Sequence, residues 1–441
     1  MGRARERIIR KREANPIEEC NKIQKKFYPE LFSLFDKVRD PRHSSYTDYS
    51  CREMFATLYY KGIAGISSMQ GMTRAFTDEK VTENLYQFMG SKSKEYLPHG
   101  VTVNEFLERV EPMELEEIQR DLANRMIRRK TFDDAKVMNR WLVLIDGTDL
   151  DEGYQRKNDY YLSRIYNRGE ENEFVKYHRS VLEAKLYLGN DLICSMATET
   201  IENSDEYNRK QMSEEAIKQD CESKAFLRLA VKIKKNFPRL PICIVADGLY
   251  VSQKVIKTCK ACGWDYIIRY KEGCAPTIEA EYQGTPEKDR AGNAEYVNEV
   301  IFRDMDVNVL KYMEKHIKEG KEKITEFAWI TSMEITDRNA EKLARAGRTR
   351  WKIENQGFNR QKRWQGNLEH ACSFHERAQK NHYLLEQIAD FIKQLYEYFF
   401  LEKNEIKKVQ KNISSDLLAS FGRQLTREDI SQIDMHCISD N

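Results

Sequence analysis

The chain has 441 residues, 40% of them hydrophobic, 11% aromatic and 33% charged, enough to build a sizeable core under a solvated exterior, which excludes a lone small module and wholesale disorder. No apolar run approaches the ~18 residues needed to cross a bilayer, so the sequence reads as a soluble protein with no membrane partner, and its N-terminus carries nothing that directs export. The formal net charge of +2 announces no polyanionic partner by itself.

From about 27 to 130 apolar residues recur at helical spacing, as in Leu31, Leu34 and Phe35, or Met54, Leu58 and Tyr59, so 1–130 is predicted to be all helical. Thr102 with Glu105 three residues on predicts a capped start for the last helix of this region. The pattern changes at Trp141. Trp141–Ile145 is a continuous apolar run that ends in Asp146-Gly147-Thr148-Asp149, as a strand buried on both faces meets a turn. Alternation over 181–188 and 192–200 around Gly189-Asn190-Asp191 predicts a hairpin. A helix over 211–236 follows, then a second buried strand, Ile242–Ala246, ending in Asp247-Gly248. A helix over 251–262 and a strand over 264–269 complete a mixed α/β sheet flanked by helices. Turn signals and extended stretches predict a β-rich insertion at 270–338. Helical periodicity returns over 339–363 and 376–401, the latter with an apolar stripe of Leu384, Leu385, Ile388, Ile392 and Leu395. The expected organisation is thus a helical region at 1–130, an α/β domain at 131–402 and a polar tail at 403–441.

Ten cysteines at irregular spacing read as free thiols of a reducing compartment, and the lone Cys259/Cys262 pair as core packing. Lys and Arg gather in two zones: nine against four Glu over 1–26, and ten against four Glu over 341–380. Such zones are either solvated faces or places where a phosphate backbone is held.

Asp146 and Asp247 each end a buried apolar strand and are each followed by Gly. If the two strands are neighbours, both carboxylates leave the same sheet edge, and Glu354, on a later helix, can join them. Three carboxylates supply the oxygen ligands a hard divalent ion requires, and a pair of ions would serve an in-line phosphoryl displacement. Taken singly, each acid reads equally as a solvated turn, a cap or a surface ion pair. Asp149, Asp151, Asp220 and Glu222 are further acids of the same kind.

Leu144-Ile145-Asp146-Gly147, Val245-Ala246-Asp247-Gly248 and Arg350-Trp351-Lys352-Ile353-Glu354 with Asn355-Gln356-Gly357 resemble the three catalytic blocks of bacterial insertion-sequence DDE transposases, in the branch with a β-rich insertion before the glutamate helix. The resemblance covers roughly 130–400. It implies an RNase H-like fold, Asp146, Asp247 and Glu354 as catalytic metal ligands, and Mg²⁺ or Mn²⁺, two ions, as cofactor. It further implies transposon-end and target double-stranded DNA as partners, a homodimer on DNA, and a cytoplasmic, nucleoid-associated location. The branch signature Tyr-x₂-Arg-x₃-Glu-x₆-Lys is kept in part: Arg350 stands four before Glu354, Gly347 takes the tyrosine position, and Gln361 takes the lysine position, with Lys362 one residue late as a substitute. Arg350, Arg348 and Lys362 are therefore candidates to hold DNA. Trp329, on an insertion strand, has a ring that could stack on an unpaired base or pack into the core, whereas Trp351 and Phe358 read as core. The competing functions are a transposase-derived DNA binder without activity, and an RNase H-like nuclease or resolvase that cuts without strand transfer.

Overall fold

A computed structural model of the chain describes residues 14–202, 220–271, 273, 275–318, 321–423 and 425. Arg3, Arg5, Arg7, Arg10, Lys11 and Arg12 of the first cationic zone lie outside the described residues, as does the first part of the helix predicted over 211–236.

The N-terminal region is helical: α1 (Pro16–Phe27), α2 (Leu31–Lys37), α3 (Cys51–Ile63), α4 (Met69–Ala75), α5 (Glu79–Met89), α6 (Gly100–Leu107) and α7 (Pro112–Arg128). Its reciprocal capping box belongs to Ser50 and Glu53 at the start of α3. The box expected at Thr102 does not form, because α6 is capped three residues earlier, where the His99 ring accepts from the Val101 N–H.

The sheet follows as β1 (Trp141–Gly153), β2 (Leu162–Tyr166), β3 (Phe174–Tyr187) and β4 (Ile193–Ile201), then helix α8 (Glu222–Asn236), strand β5 (Ile242–Ala246), helix α9 (Gln253–Cys262) and strand β6 (Asp265–Tyr270). β1 pairs antiparallel with β3, and β3 with β4, while β1–β5 and β5–β6 are parallel. The spatial order β4-β3-β1-β5-β6, an antiparallel meander joined to two parallel crossover strands, is the RNase H-like arrangement. The insertion adds α10 (Pro276–Gly284) and the strands β7 (Asp289–Ala291), β8 (Ala294–Phe302), β9 (Met305–Lys318) and β10 (Lys321–Thr331). It is not a separate layer: β10 pairs antiparallel with β6, so the meander extends the same ten-stranded sheet.

One sequence expectation changes here. β1 does not turn at Asp146 but runs on to Gly153, because β3 supplies ladder partners as far as Tyr177. The polar, weakly patterned C-terminal stretch holds a packed helix, α14 (Gln410–Ser420), which buries Ile413 and Leu417.

After β10 come α11 (Ala340–Arg348), a π-helical turn (Ile353–Phe358), α12 (Asn359–Arg363) and the long α13 (Glu376–Tyr396), which ends in a second π-helical turn (Glu397–Leu401). Successive strand residues face opposite sides of a sheet, and the two sides meet different cores. Trp141, Val143 and Ile145 join the large cluster of helices α1 to α9 and α13. Leu142 and Leu144 join a smaller one with Cys243, Val245, Ile267, Trp329 and the apolar side of α11. No helix among the described residues is long and apolar enough to cross a membrane.

Candidate active site

The parallel register Trp141↔Ile242 to Leu144↔Val245, carried two residues further, sets Asp146 beside Asp247. By alternation Asp146 shares the face of Leu142 and Leu144, and Asp247 that of Cys243 and Val245, which is the face covered by α11 and the π-helical turn. Asp247 caps the short turn after β5, its Oδ1 accepting from the Leu249 N–H at 2.9 Å. Glu354 arrives on the π-helical turn. One guanidinium joins the pieces: Arg350, buried, places Nη1 3.1 Å from Asp146 Oδ2 and 2.8 Å from Glu354 Oε1.

Burial pushes the Asp146 carboxyl up to about 7; the Arg350 charge opposes this, and the nearby Asp247, Glu354 and Glu222 charges add to it. The donor set is therefore all oxygen and carries more negative charge than one arginine offsets, which fits a hard divalent cation in kind. In arrangement the site is bridged by the Arg350 guanidinium, and among the described residues no group of three or more His, Cys, Asp or Glu side chains is placed to hold a metal ion.

Arg348 lies 3.9 Å from the Phe327 ring centroid, and its Nη2 is 3.3 Å from Glu314 Oε2. Arg269, on β6, lies over the same ring at 5.1 Å. Burial, followed by the Arg350 and Arg348 charges, holds Arg269 below its usual value, so three guanidiniums crowd one side of the acids. Arg269 was not anticipated; its only sign in the sequence is a cation breaking the buried run Tyr266-Ile267-Ile268. Glu222 opens α8, receives the Tyr250 hydroxyl at 2.8 Å, and presses so closely on Gly147 that a Cβ there would fall 2.7 Å from its carboxyl carbon. The other extra acids are paired elsewhere: Asp149 with Arg164, Asp151 with Arg179 and Asp220 with Arg228.

Of the two places expected for Trp329, the core is the one it takes. Trp329 is 1% exposed and cannot stack on a base where it lies; its indole fills the space over Gly347, where a Cβ would sit 2.4 Å from Nε1. This also explains the glycine at the signature's tyrosine position, since a larger residue would displace a rigid ring. Trp351 is not core but 40% exposed, whereas Phe358 is buried. Gln361, at the signature's lysine position, is fully buried, and Lys362 turns away to Glu369 at 2.9 Å. Of the pair Cys259 and Cys262, Cys259 is buried and Cys262 partly so, both as free thiols.

Comparison with known proteins gives a match of residues 219–385 to the family model described as the transposase DDE domain. That stretch includes Asp247 and Glu354 and starts after Asp146. No curated protein matches the chain. Among solved structures, one similar chain is that of a piggyBac transposase synaptic complex with hairpin DNA, at 12% identity and a TM-score of 0.43, covering 95% of this chain and 85% of the other.

Proposed function

We propose, taking as premise that this chain belongs through residues 219–385 to the family of transposase DDE domains, that it is a metal-dependent DNA transposase whose reacting centre is formed by Asp146, Asp247 and Glu354. The observation that carries the reading is the register that brings Asp146 beside Asp247 on one sheet face, with Glu354 tied to Asp146 through Arg350. In this reading the three carboxylates hold Mg²⁺ or Mn²⁺, and the bound cations supply charge for an attacking oxygen and a leaving oxygen at phosphorus.

The protein's own groups do the rest. Arg350 swings from its carboxylates to the scissile phosphate, a bidentate partner it suits in charge and shape. Arg348 and Arg269 hold neighbouring phosphates, their planes fixed by the Phe327 ring. Glu222, kept above the usual carboxylate range by burial and, further, by the Asp247 and Asp149 charges, steadies the loop after β5 through Tyr250. The substrates are transposon-end and target double-stranded DNA. Water opens the 3′ end, the freed hydroxyl then attacks target DNA, and the use of two ends at once calls for a dimer on DNA.

Incubating the purified chain with duplexes ending in the element's terminal sequence tests this. Nicking at the terminus should need Mg²⁺ or Mn²⁺ and fall at least about 10²-fold in Asp247→Asn, the scale of losing one preorganised electrostatic group. Full cleavage by that variant would remove Asp247 from the chemistry. A non-catalytic DNA binder is the second reading, favoured by the Arg350 bridge across Asp146 and Glu354; it requires salt-sensitive binding with no nicking at any metal concentration.

A further inference from the structure

Glu354 stands on an unusual support. The π-helical turn that carries it advances the chain differently from an α-helix, and six residues on Arg360 points the other way, into the protein, with its side chain only 3% exposed. There it makes three bonds to two carboxylates of the α13 region. Nε donates to Asp390 Oδ1 at 2.6 Å, and Nη1 and Nη2 donate to Glu397 Oε2 and Oε1 at 2.5 and 2.8 Å. This is the forked geometry that fixes both position and orientation. Asp390 also accepts from Gln361 at 2.7 Å and from Gln394 at 3.1 Å through its second oxygen. Gln394 in turn accepts from the Ile193 N–H of β4 at 3.1 Å. Gln361 and Gln387 exchange bonds at 2.9 and 3.2 Å, and Gln387 receives Lys185 Nζ at 2.6 Å. Lys185 lies on β3 directly across from Leu144, two residues before Asp146. A single polar network therefore runs from the strand pair that carries Asp146, through α13, to the segment that carries Glu354.

The approach is close along the whole path. A Cβ at Gly357 would lie 3.3 Å from Ile193 Cδ1 and 3.4 Å from Lys185 Cε. Gln387, Asp390 and Gln394 of α13 and Glu397 of the turn that ends it recur at helical spacing and form one polar stripe that ordinary solvation does not explain, because all four are buried or nearly so. An arginine enclosed by two carboxylates is a poor device for stability alone, since apolar residues of similar size often serve as well. It is a good device for fixing one geometry.

We propose that Arg360 is a positioning residue for Glu354: its clamp on Asp390 and Glu397 sets the height and rotation of the 353–363 segment, so that the Glu354 carboxylate meets Asp146 at the edge of the sheet. This rests on the transposase reading, because it assigns Arg360 a role only if Glu354 holds the cation. Groups that orient metal ligands from behind typically change metal affinity by about 10- to 100-fold when altered.

The test compares the full chain with Arg360→Lys, which keeps the charge and loses the fork, by two readouts: the Mg²⁺ concentration at half the maximal rise in thermal midpoint, and the Mg²⁺ concentration at half-maximal nicking of a terminal duplex. Both should rise by about ten-fold or more, with DNA affinity in Ca²⁺ within about two-fold of the parent. A merely structural role lowers the starting midpoint and leaves both Mg²⁺ half-points in place, and that result would overturn the proposal. Glu397→Gln, nearly isosteric, gives the same two readouts if Arg360→Lys does not fold. A parent protein that neither nicks DNA nor responds to Mg²⁺ removes the transposase reading and the positioning role together. A parent that does both, with the variants following it unchanged, removes the positioning role alone.

Discussion

Burial, with other carboxyls nearby, holds the Asp146 carboxyl up at about 7 against the opposing charge of Arg350. A carboxyl whose folded value lies above its ordinary 3.8 contributes stability that is whole below that ordinary value and is lost as pH rises through about 7, since the unfolded chain gains more from ionisation than the folded one. Asp146→Asn removes the titration and keeps the size and an acceptor for Arg350. Its thermal midpoint should exceed the parent's at pH 8, by the equivalent of roughly 1–3 kcal/mol. The gap should narrow steadily from pH 7 to pH 5 and stay level above 7. Unfolding scans of both proteins across that range, without divalent ions, check it; a gap that does not vary with pH would mean that Asp146 ionises as freely in the folded protein as in the unfolded. If Asp146 holds the cation as proposed, Mg²⁺ should raise the parent's midpoint more at pH 8 than at pH 6 for the same reason, because a cation binds the ionised carboxylate.

The helix α14 shows what one element adds. Leu417 is fully buried and Leu418 is 36% exposed on the same two turns, so truncating each to Ala separates packing from propensity. Leu417→Ala should cost about 2–5 kcal/mol and Leu418→Ala no more than about 0.5 kcal/mol in urea unfolding; equal losses would show that α14 does not dock as described. This element was missed in the sequence because the few apolar positions in a polar stretch give a weak period, and it is tertiary contact at Ile413 and Leu417 that holds it. The same physics divides the rest of the chain. Trp141–Ile145 and Ile242–Ala246 were legible as buried strands because both faces are covered and the run is continuously apolar, and with them Asp146 and Asp247. The extension of β1 to Gly153 was not legible, since Asp146 to Asp149 read as a turn, and the acids beyond it are held in place by the β3 ladder and by the cations Arg164, Lys176 and Arg179. Trp351 was misplaced because its spacing to Phe358 reads as one helical face, and the π-helical turn between the two shifts that phase. Arg269 and the Arg360 clamp depend on pairings across 30 or more residues of chain, which no local pattern reports.

At the scale of the molecule, the helical region and the sheet are not independently cored. The buried cluster that starts at Ile17 passes through α3 and α7, takes in one face of the sheet and continues to Phe421. Polar bonds cross the same boundary: Asn381 Nδ2 donates to the Leu107 and Val110 carbonyls at 2.9 Å, and Asn84 Nδ2 to the Phe421 carbonyl at 2.6 Å. Separating the two regions would expose apolar surface and strand these amides together, so neither is expected to persist without the other. The sequence supplies a reporter for each. All five tryptophans lie at Trp141 or later, while α1 to α7, which contribute heavily to helical ellipticity, all precede it. Urea unfolding followed by tryptophan fluorescence and by far-ultraviolet circular dichroism should therefore give one shared midpoint and one shared slope. A fluorescence transition that finishes while helical signal remains would show a helical region able to stand alone, and would return the molecule to two separately stable parts joined near residue 130.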